Sequence, residues 1–409
     1  MNDCCTHRFD ASLIVVSRAC FVDDGARRRF QNLDGPYLEE LASAFENVLL
    51  LAPIYRKGCD PQYEMLQNYT FEFHAPNIEV MEMPEARGSR RLAVLLATFW
   101  QQIRVLRQAF RRHPGALTYI FFPTYRAAAA ALYCRLARRP YIAYSGILWL
   151  ESVGLFARWG GRRPWYLGLY VAASRALERI ALGGAKVRLL TVASQIRAYE
   201  QRGPTYRTRP LVRVQPLANL PKRPLAQPAR LLCVGAVIPR KGHDTLYETV
   251  ASLGKKGLPV TVTMAGAADS DWQKHLDQLA DRLGISSQIS YLGWLPEQRV
   301  EQLYNESDLF VLPTRSEGFP RVVYEAMGRG LPVVTTSIPN IAEVIEDQRQ
   351  ALLVPPDDPV ALATAIERLL QDERLRARLT ATAWRWVREQ FSETAAEQFV
   401  SLVKAHGPW

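Results

Sequence analysis

Short apolar runs alternate with longer helical periods along the chain, most regularly after residue 229. Arg230-Leu231-Leu232-Cys233-Val234, Val260-Thr261-Val262-Thr263-Met264, Ile289-Ser290-Tyr291-Leu292 and Leu309-Phe310-Val311-Leu312 have strand length and are rich in branched or aromatic side chains. Between them, Gly242 to Val250 and Trp272 to Leu283 repeat apolar positions at helical spacing. Val322-Val323-Tyr324-Glu325-Ala326-Met327 starts another helix directly after Gly318-Phe319-Pro320. Such alternation predicts a parallel, doubly wound α/β sheet, whose strands read as continuous apolar runs because helices cover both faces. The first half alternates as well, with strands expected at 12–17, 47–52, 117–122, 140–144 and 188–193. Val214-Gln215-Pro216-Leu217-Ala218-Asn219-Leu220-Pro221-Lys222-Arg223-Pro224 has no period and three prolines. It predicts a linker over 214–228, separating a domain at 1–213 from one at 229–391.

Length agrees with that division, since 409 residues suffice for two ordinary cores. Hydrophobic residues at 48% and charged ones at 22% are ordinary for a globular protein. The net charge of +11 changes the picture more. Up to Pro210 there are 29 Lys and Arg against 17 Asp and Glu, and beyond it 22 against 23. The positive charge belongs to the first half and suits an anionic partner there, such as a membrane surface or a phosphorylated acceptor. Nucleic acid is not expected, because no recognition helix or aromatic RNA motif accompanies the charge. No apolar run is long enough to span a bilayer, and Met1-Asn2-Asp3-Cys4-Cys5 does not open a signal peptide. Six cysteines, at 4, 5, 20, 59, 134 and 233, show no metal-ligand spacing. They are expected as reduced thiols in a cytoplasmic protein, with no metal or cofactor.

Two carboxylates, Glu317 and Glu325, stand eight positions apart around the predicted strand-to-helix junction. Eight residues are a little over two helical turns, so both can point to one side. The helix start at Gly318-Phe319-Pro320 presents free backbone N–H groups and a partial positive charge, which suit an anion. Hydroxyl-seeking carboxylates beside an anion site suit a sugar carried on a nucleoside diphosphate. Gly235-Ala236-Val237-Ile238-Pro239-Arg240-Lys241-Gly242 also joins a strand to a helix, and its glycines and two cations would clamp a diphosphate.

Thr314-Arg315-Ser316-Glu317-Gly318-Phe319-Pro320, with Glu325 and Gly330-Leu331-Pro332-Val333-Val334-Thr335, resembles the Glu-x7-Glu signature of the retaining GT-B glycosyltransferases of family four. The resemblance covers about residues 230 to 391 and, more loosely, the rest. It implies two Rossmann-like domains facing a central cleft, with a last helix, near 392–404, crossing back to the first domain, which would thus also take about 392–409. It implies a hexose moved with retention from a nucleotide-diphosphate donor to a glycan or lipid-linked acceptor, in surface polysaccharide or glycolipid assembly, without a metal. Glu317 and Lys241 would be catalytic. Glu325 would hold the ribose, with Arg240, Gly235, Gly318, Phe319, Pro320, Gly293 and Gly35 completing the donor site. The family usually has Arg where this chain has Ala236, so Arg240 would supply the second cation. The first-domain segments Tyr119 to Tyr125 and Ala143 to Ile147 lack the His that many members carry, so a departing phosphate oxygen would take the acceptor proton. Asp34-Gly35-Pro36 fits either a glycine loop approaching the donor or a plain turn. An epimerase or hydrolase on the same fold, and a non-catalytic subunit, remain alternatives.

Residues 90–112 have Leu92, Leu95, Leu96, Phe99, Ile103, Leu106 and Phe110 at helical spacing with arginines opposite. With the Trp, Tyr and Arg residues of 156–166, this helix either covers the sheet or attaches the protein to the inner face of a membrane.

Overall fold

The computed structural model describes residues 9–32, 34–60, 63–66, 69–85, 92–146, 167–191, 193–208, 214–221 and 224–407. They fall into two compact units. The first takes the described residues up to 208 and those from Glu393 onward. The second takes 214 to 392.

The first unit contains β1 (Phe9–Val16), β2 (Phe21–Asp23), β3 (Arg28–Phe30), β4 (Phe45–Ala52), β5 (Ile54–Arg56), β6 (Ile78–Glu82), β7 (Leu117–Phe122), β8 (Ile142–Ser145), β9 (Val187–Leu190) and β10 (Thr205–Arg207). Seven of them form one parallel sheet in the order β10-β9-β8-β7-β1-β4-β6. The five expected strands are its centre. β6 and β10 were not foreseen, because edge strands this short carry half-polar sequences. The small sheet β3-β2-β5 was not foreseen either. The helix Ala395–His406 belongs to this unit, where Phe399 and Val403 are buried in the core.

The second unit adds β11 (Ala229–Val234), β12 (Val260–Ala265), β13 (Ile289–Tyr291), β14 (Leu309–Leu312), β15 (Val333–Thr336) and β16 (Leu352–Val354). All pairs are parallel, in the order β13-β12-β11-β14-β15-β16. The chain winds outward from β11 to β13, then restarts beside β11 with β14. The loops after β11 and β14 therefore emerge next to each other, at the point where ligands of such sheets sit. Residues 214–221 lie along this unit. Val214 is buried in its core, the Leu217 N–H donates to the Gly328 carbonyl at 2.9 Å, and Trp384 Nε1 donates to the Leu217 carbonyl at 3.0 Å.

The helix Leu92–Arg112 departs from its sequence reading in one half. Leu106 and Phe110 are buried and Phe99 and Ile103 half-buried, as the periodicity requires. Leu95 and Leu96 are exposed instead, the latter by 52%, and Trp100 by 62%. The buried stripe runs through Thr98, Gln102, Leu106 and Ala109. It is turned away from the leucines, and Gln102 on it donates to the Pro84 carbonyl at 2.8 Å while Thr98 bonds back to the Val94 carbonyl of its own helix at 2.8 Å. Residues 156–166 lie outside the described residues.

Candidate active site

The loop after β11 is forced into shape by glycine. Gly235 has φ +147° and Gly242 φ +71°, both in the left-handed half of backbone space. A Cβ on Gly242 would stand 2.0 Å from the Pro313 carbonyl oxygen, so no other residue lets the two switch-point loops touch. They are bonded as well: the Arg315 N–H donates to the Arg240 carbonyl at 2.8 Å, and Thr314 Oγ1 to the same carbonyl at 3.2 Å. Arg315 reinforces the joint with its side chain, which reaches Asp244 at 2.8 Å and also bonds Asp357 and the Pro239 carbonyl.

This joint brings Lys241 onto Glu317. Both are buried, and Lys241 Nζ donates to Glu317 Oε1. Arg240 comes to the same carboxylate, 3.6 Å from Oε2, while its guanidinium donates to the Ser316 carbonyl at 2.8 Å. Asn340 fixes the backbone there by donating to the Glu317 carbonyl at 2.6 Å. Two cations thus share one carboxylate. Gly318 and Phe319 are half-buried, and Pro320 closes the turn into the helix Arg321–Gly328. The Phe319 ring stacks on Tyr324 with centroids 4.5 Å apart, which holds the glycine turn against the helix.

Glu325 is held by other neighbours. Its Oε1 accepts from Arg321 Nε, and its Oε2 accepts from the Tyr304 hydroxyl at 3.0 Å. The two carboxylates of the motif therefore lie in separate hydrogen-bond networks on one strand-to-helix junction. Gly293, with φ +69°, accepts from the Gly266 N–H at 2.8 Å and so lines the loop beside Gly235. A Cβ on Gly266 would meet the Gly235 carbonyl at 2.0 Å, so that contact also demands glycine. Trp294 is 51% exposed, which removes it from the core.

His243, just inside the helix that follows Gly242, has Nδ1 without a hydrogen-bond partner among the described residues. Burial, and then the nearby Lys241 charge, push its imidazole down to about 4, so it is neutral at ordinary pH. Sequence reasoning passed over His243, Arg315, Asn340, Tyr304 and Arg321. Only Arg321 had a usable signal, its i,i+4 spacing to Glu325. Arg315, Asn340 and Tyr304 act across longer sequence separations, and His243, two residues from Lys241, carried no pattern of its own.

Gly35 belongs to the first unit, at the start of the helix Gly35–Ala42. A Cβ there would stand 2.3 Å from the Phe71 ring, so packing alone accounts for glycine at this position. Asp34 beside it is fully buried and binds Arg18 through two hydrogen bonds, 2.9 and 2.7 Å long.

Residues 220–386 match the family of glycosyl transferases group 1. They are a group 1 glycosyl transferase domain. The D-inositol 3-phosphate glycosyltransferase of Corynebacterium urealyticum is 29% identical over 177 residues, 42% of this chain and 42% of that protein. The chain thus matches less than half the length of this curated relative. Solved structures extend the likeness to the whole fold. Sucrose-phosphate synthase from Thermosynechococcus elongatus superposes with a TM-score of 0.69 at 18% identity, covering 97% of this chain and 98% of the other. Anabaena HepE in complex with UDP gives 0.65 at 19% identity, over 96% and 99%. The fold is GT-B, built of two Rossmann-like α/β units, and the domain supplies the second of them.

Proposed function

We propose that the protein is a retaining glycosyltransferase that moves a hexose from a nucleotide-diphosphate donor to a glycan or lipid-linked acceptor. The observation that carries this reading is the meeting of Lys241 and Arg240 on the buried Glu317 at the switch point of the second sheet. A diphosphate that displaces part of this contact gains two cations already held in place. Charge grows on the diphosphate as the glycosidic bond breaks, and fixed cations in a water-poor site stabilise it without reorganising. Arg240 would then stand in for the cation missing at Ala236, and no divalent metal would be required. Gly235, Gly293 and Gly318 allow close backbone approach, Phe319 and Pro320 shape the sugar side, and Glu325 takes the ribose. Gly35 would border the donor only if Phe71 gave way. On retention, the leaving phosphate oxygen accepts the acceptor proton on the same face.

The test is a panel of nucleotide sugars offered to the purified protein in the presence of a chelator. Binding of one donor with slow hydrolysis, and transfer that keeps the anomeric configuration, are expected. Failure to bind any donor removes the reading. Transfer abolished by the chelator removes its metal-free form.

A cytoplasmic protein attached to an anionic membrane surface completes the proposal, and the helix Leu92–Arg112 supports it. Leu96, Trp100, Arg104, Arg107 and Arg111 are all exposed and fall on one side of the helix. None of these three arginines has an ion-pair partner among the described residues. No described helix is long and apolar enough to cross a membrane. Each arginine near an anionic surface is worth about 1 kcal/mol, so three give about 3 kcal/mol. This suits polysaccharide or glycolipid assembly, where the acceptor is lipid-linked. Liposome sedimentation should show binding that needs anionic lipid and fades in about 1 M salt, where the Debye length is about 3 Å. Changing Arg104, Arg107 and Arg111 to Glu should abolish it. Equal recovery in the supernatant with and without anionic lipid would remove the membrane from the proposal.

A further inference from the structure

We infer that Tyr304 and Arg321 form a clamp that orients Glu325 and thereby sets the preference for an intact ribose diol in the donor. The inference rests on Glu325 as the ribose ligand. A carboxylate offers about four acceptor positions on its two oxygens. In this structure one position on Oε2 takes the Tyr304 hydroxyl at 3.0 Å, and one on Oε1 takes Arg321 Nε. Two positions remain, one on each oxygen, which is the number a 2′,3′-diol needs.

The clamp is rigid for identifiable reasons. Tyr304, on the helix Glu297–Glu306, is only 2% exposed and packs against Phe310 of β14, with ring centroids 5.9 Å apart. Its hydroxyl also lies 3.4 Å from the Val322 carbonyl, in the first turn of the helix that carries Glu325. The hydroxyl therefore ties the second helix to the first at the level of the carboxylate. Arg321 is fixed at its far end, where its guanidinium donates to Glu297 at 2.9 Å. Glu325 is thus held from both sides by groups on two helices. A carboxylate held before binding loses less rotamer freedom when the diol arrives. Tyr304 and Arg321 are positioning residues, since neither needs to touch the ribose.

The test uses the full-length protein and UDP, GDP, ADP and CDP, each paired with its 2′,3′-dideoxy form. The pair that binds most tightly is followed by calorimetry, and the readout is the ratio of the two affinities. Wild type should favour the ribose form by roughly ten- to 100-fold. Glu325→Ala should bring the ratio close to one. Tyr304→Phe and Arg321→Met should each lower it about five- to tenfold, and affinity for the dideoxy form should hardly change. A purely structural role would weaken both nucleotides alike and leave the ratio at the wild-type value. That outcome overturns the clamp. A ratio near one already in wild type, or no nucleotide binding at all, overturns the ribose reading of Glu325, and the clamp with it. If Tyr304→Phe melts early, Arg321→Met decides the matter from the half-exposed side of the pair.

Discussion

The two units place charged side chains after the ends of their strands in opposite ways. In the first, Arg18 and Arg126 each have their own acid, while the buried Arg188 donates to the Leu182 and Gly183 carbonyls. Arg18 pairs with Asp34, and Arg126 pairs with Glu85, which also accepts from the Tyr55 hydroxyl at 2.7 Å. Arg126 further caps the strand-end carbonyl of Arg18 at 3.1 Å. In the second unit two cations, Lys241 and Arg240, share the single Glu317. The first arrangement is electrically complete and serves to hold loops together. In the second, one carboxylate serves two cations, while Arg315 beside it holds two carboxylates, Asp244 and Asp357. Buried ion pairs contribute little net stability but cost much when one partner is removed. The same chemistry thus reads as scaffold in one unit and, in the function proposed, as a diphosphate site in the other.

The largest effect should come from breaking the balanced pair. Asp34→Asn leaves the Arg18 guanidinium buried without its counter-charge, which should cost about 3 kcal/mol of stability. Chemical denaturation followed by circular dichroism would measure it, and an unchanged midpoint would mean that the first unit does not depend on the pairing. Glu317→Gln sharpens the other side of the contrast. Turnover should fall by about 10²–10³, and nucleoside diphosphate affinity should hold or rise because both cations are freed. Normal turnover in that variant would show that Glu317 only neutralises its neighbours. Glu325→Ala, which touches neither cation, should weaken donor binding by roughly ten- to 150-fold, or about 1.5–3 kcal/mol. Isothermal calorimetry with the preferred nucleotide would detect it.

The smallest effect concerns pH. His243, buried beside Lys241, has its folded value lowered to about 4, against 6.5 ordinarily. Between those values the unfolded chain binds the proton and the folded chain does not, so stability rises with pH across that window. It is complete above about 6.5 and is lost as pH falls toward 4, with roughly 2 kcal/mol gone at pH 5. His243→Gln should flatten the dependence of the melting temperature between pH 7.5 and 5. A slope that survives the substitution would place the titrating group elsewhere, and carboxylates of the first unit would be the next to change.

Much of this molecule was legible in its residues, because strand and helix periods are local and follow from covered or half-covered faces. The apolar runs at 230–234, 260–264 and 309–312 could hardly be anything but buried strands, and the glycines at 235 and 242 marked a turn of positive φ. The Glu317 and Glu325 motif, with Lys241, pointed to a nucleotide-sugar chemistry before any fold was visible. Edge strands such as β6 and β10 escaped because polar residues interrupt their apolar pattern, Glu79 and Glu82 in β6 and Thr205 and Arg207 in β10. The outward turn of Leu95 and Leu96 escaped because helical spacing gives a stripe but not the layer it faces. Which partners each carboxylate meets was decided only by tertiary structure. Strand order places the loop after β11 against the loop after β14, and Lys241 and Glu317, 76 residues apart, become neighbours only through that crossover. Tyr304 reaches Glu325 in the same way, across two helices. Sequence determined which groups could carry charge and where the backbone could bend, and the sheet's winding determined which of them met.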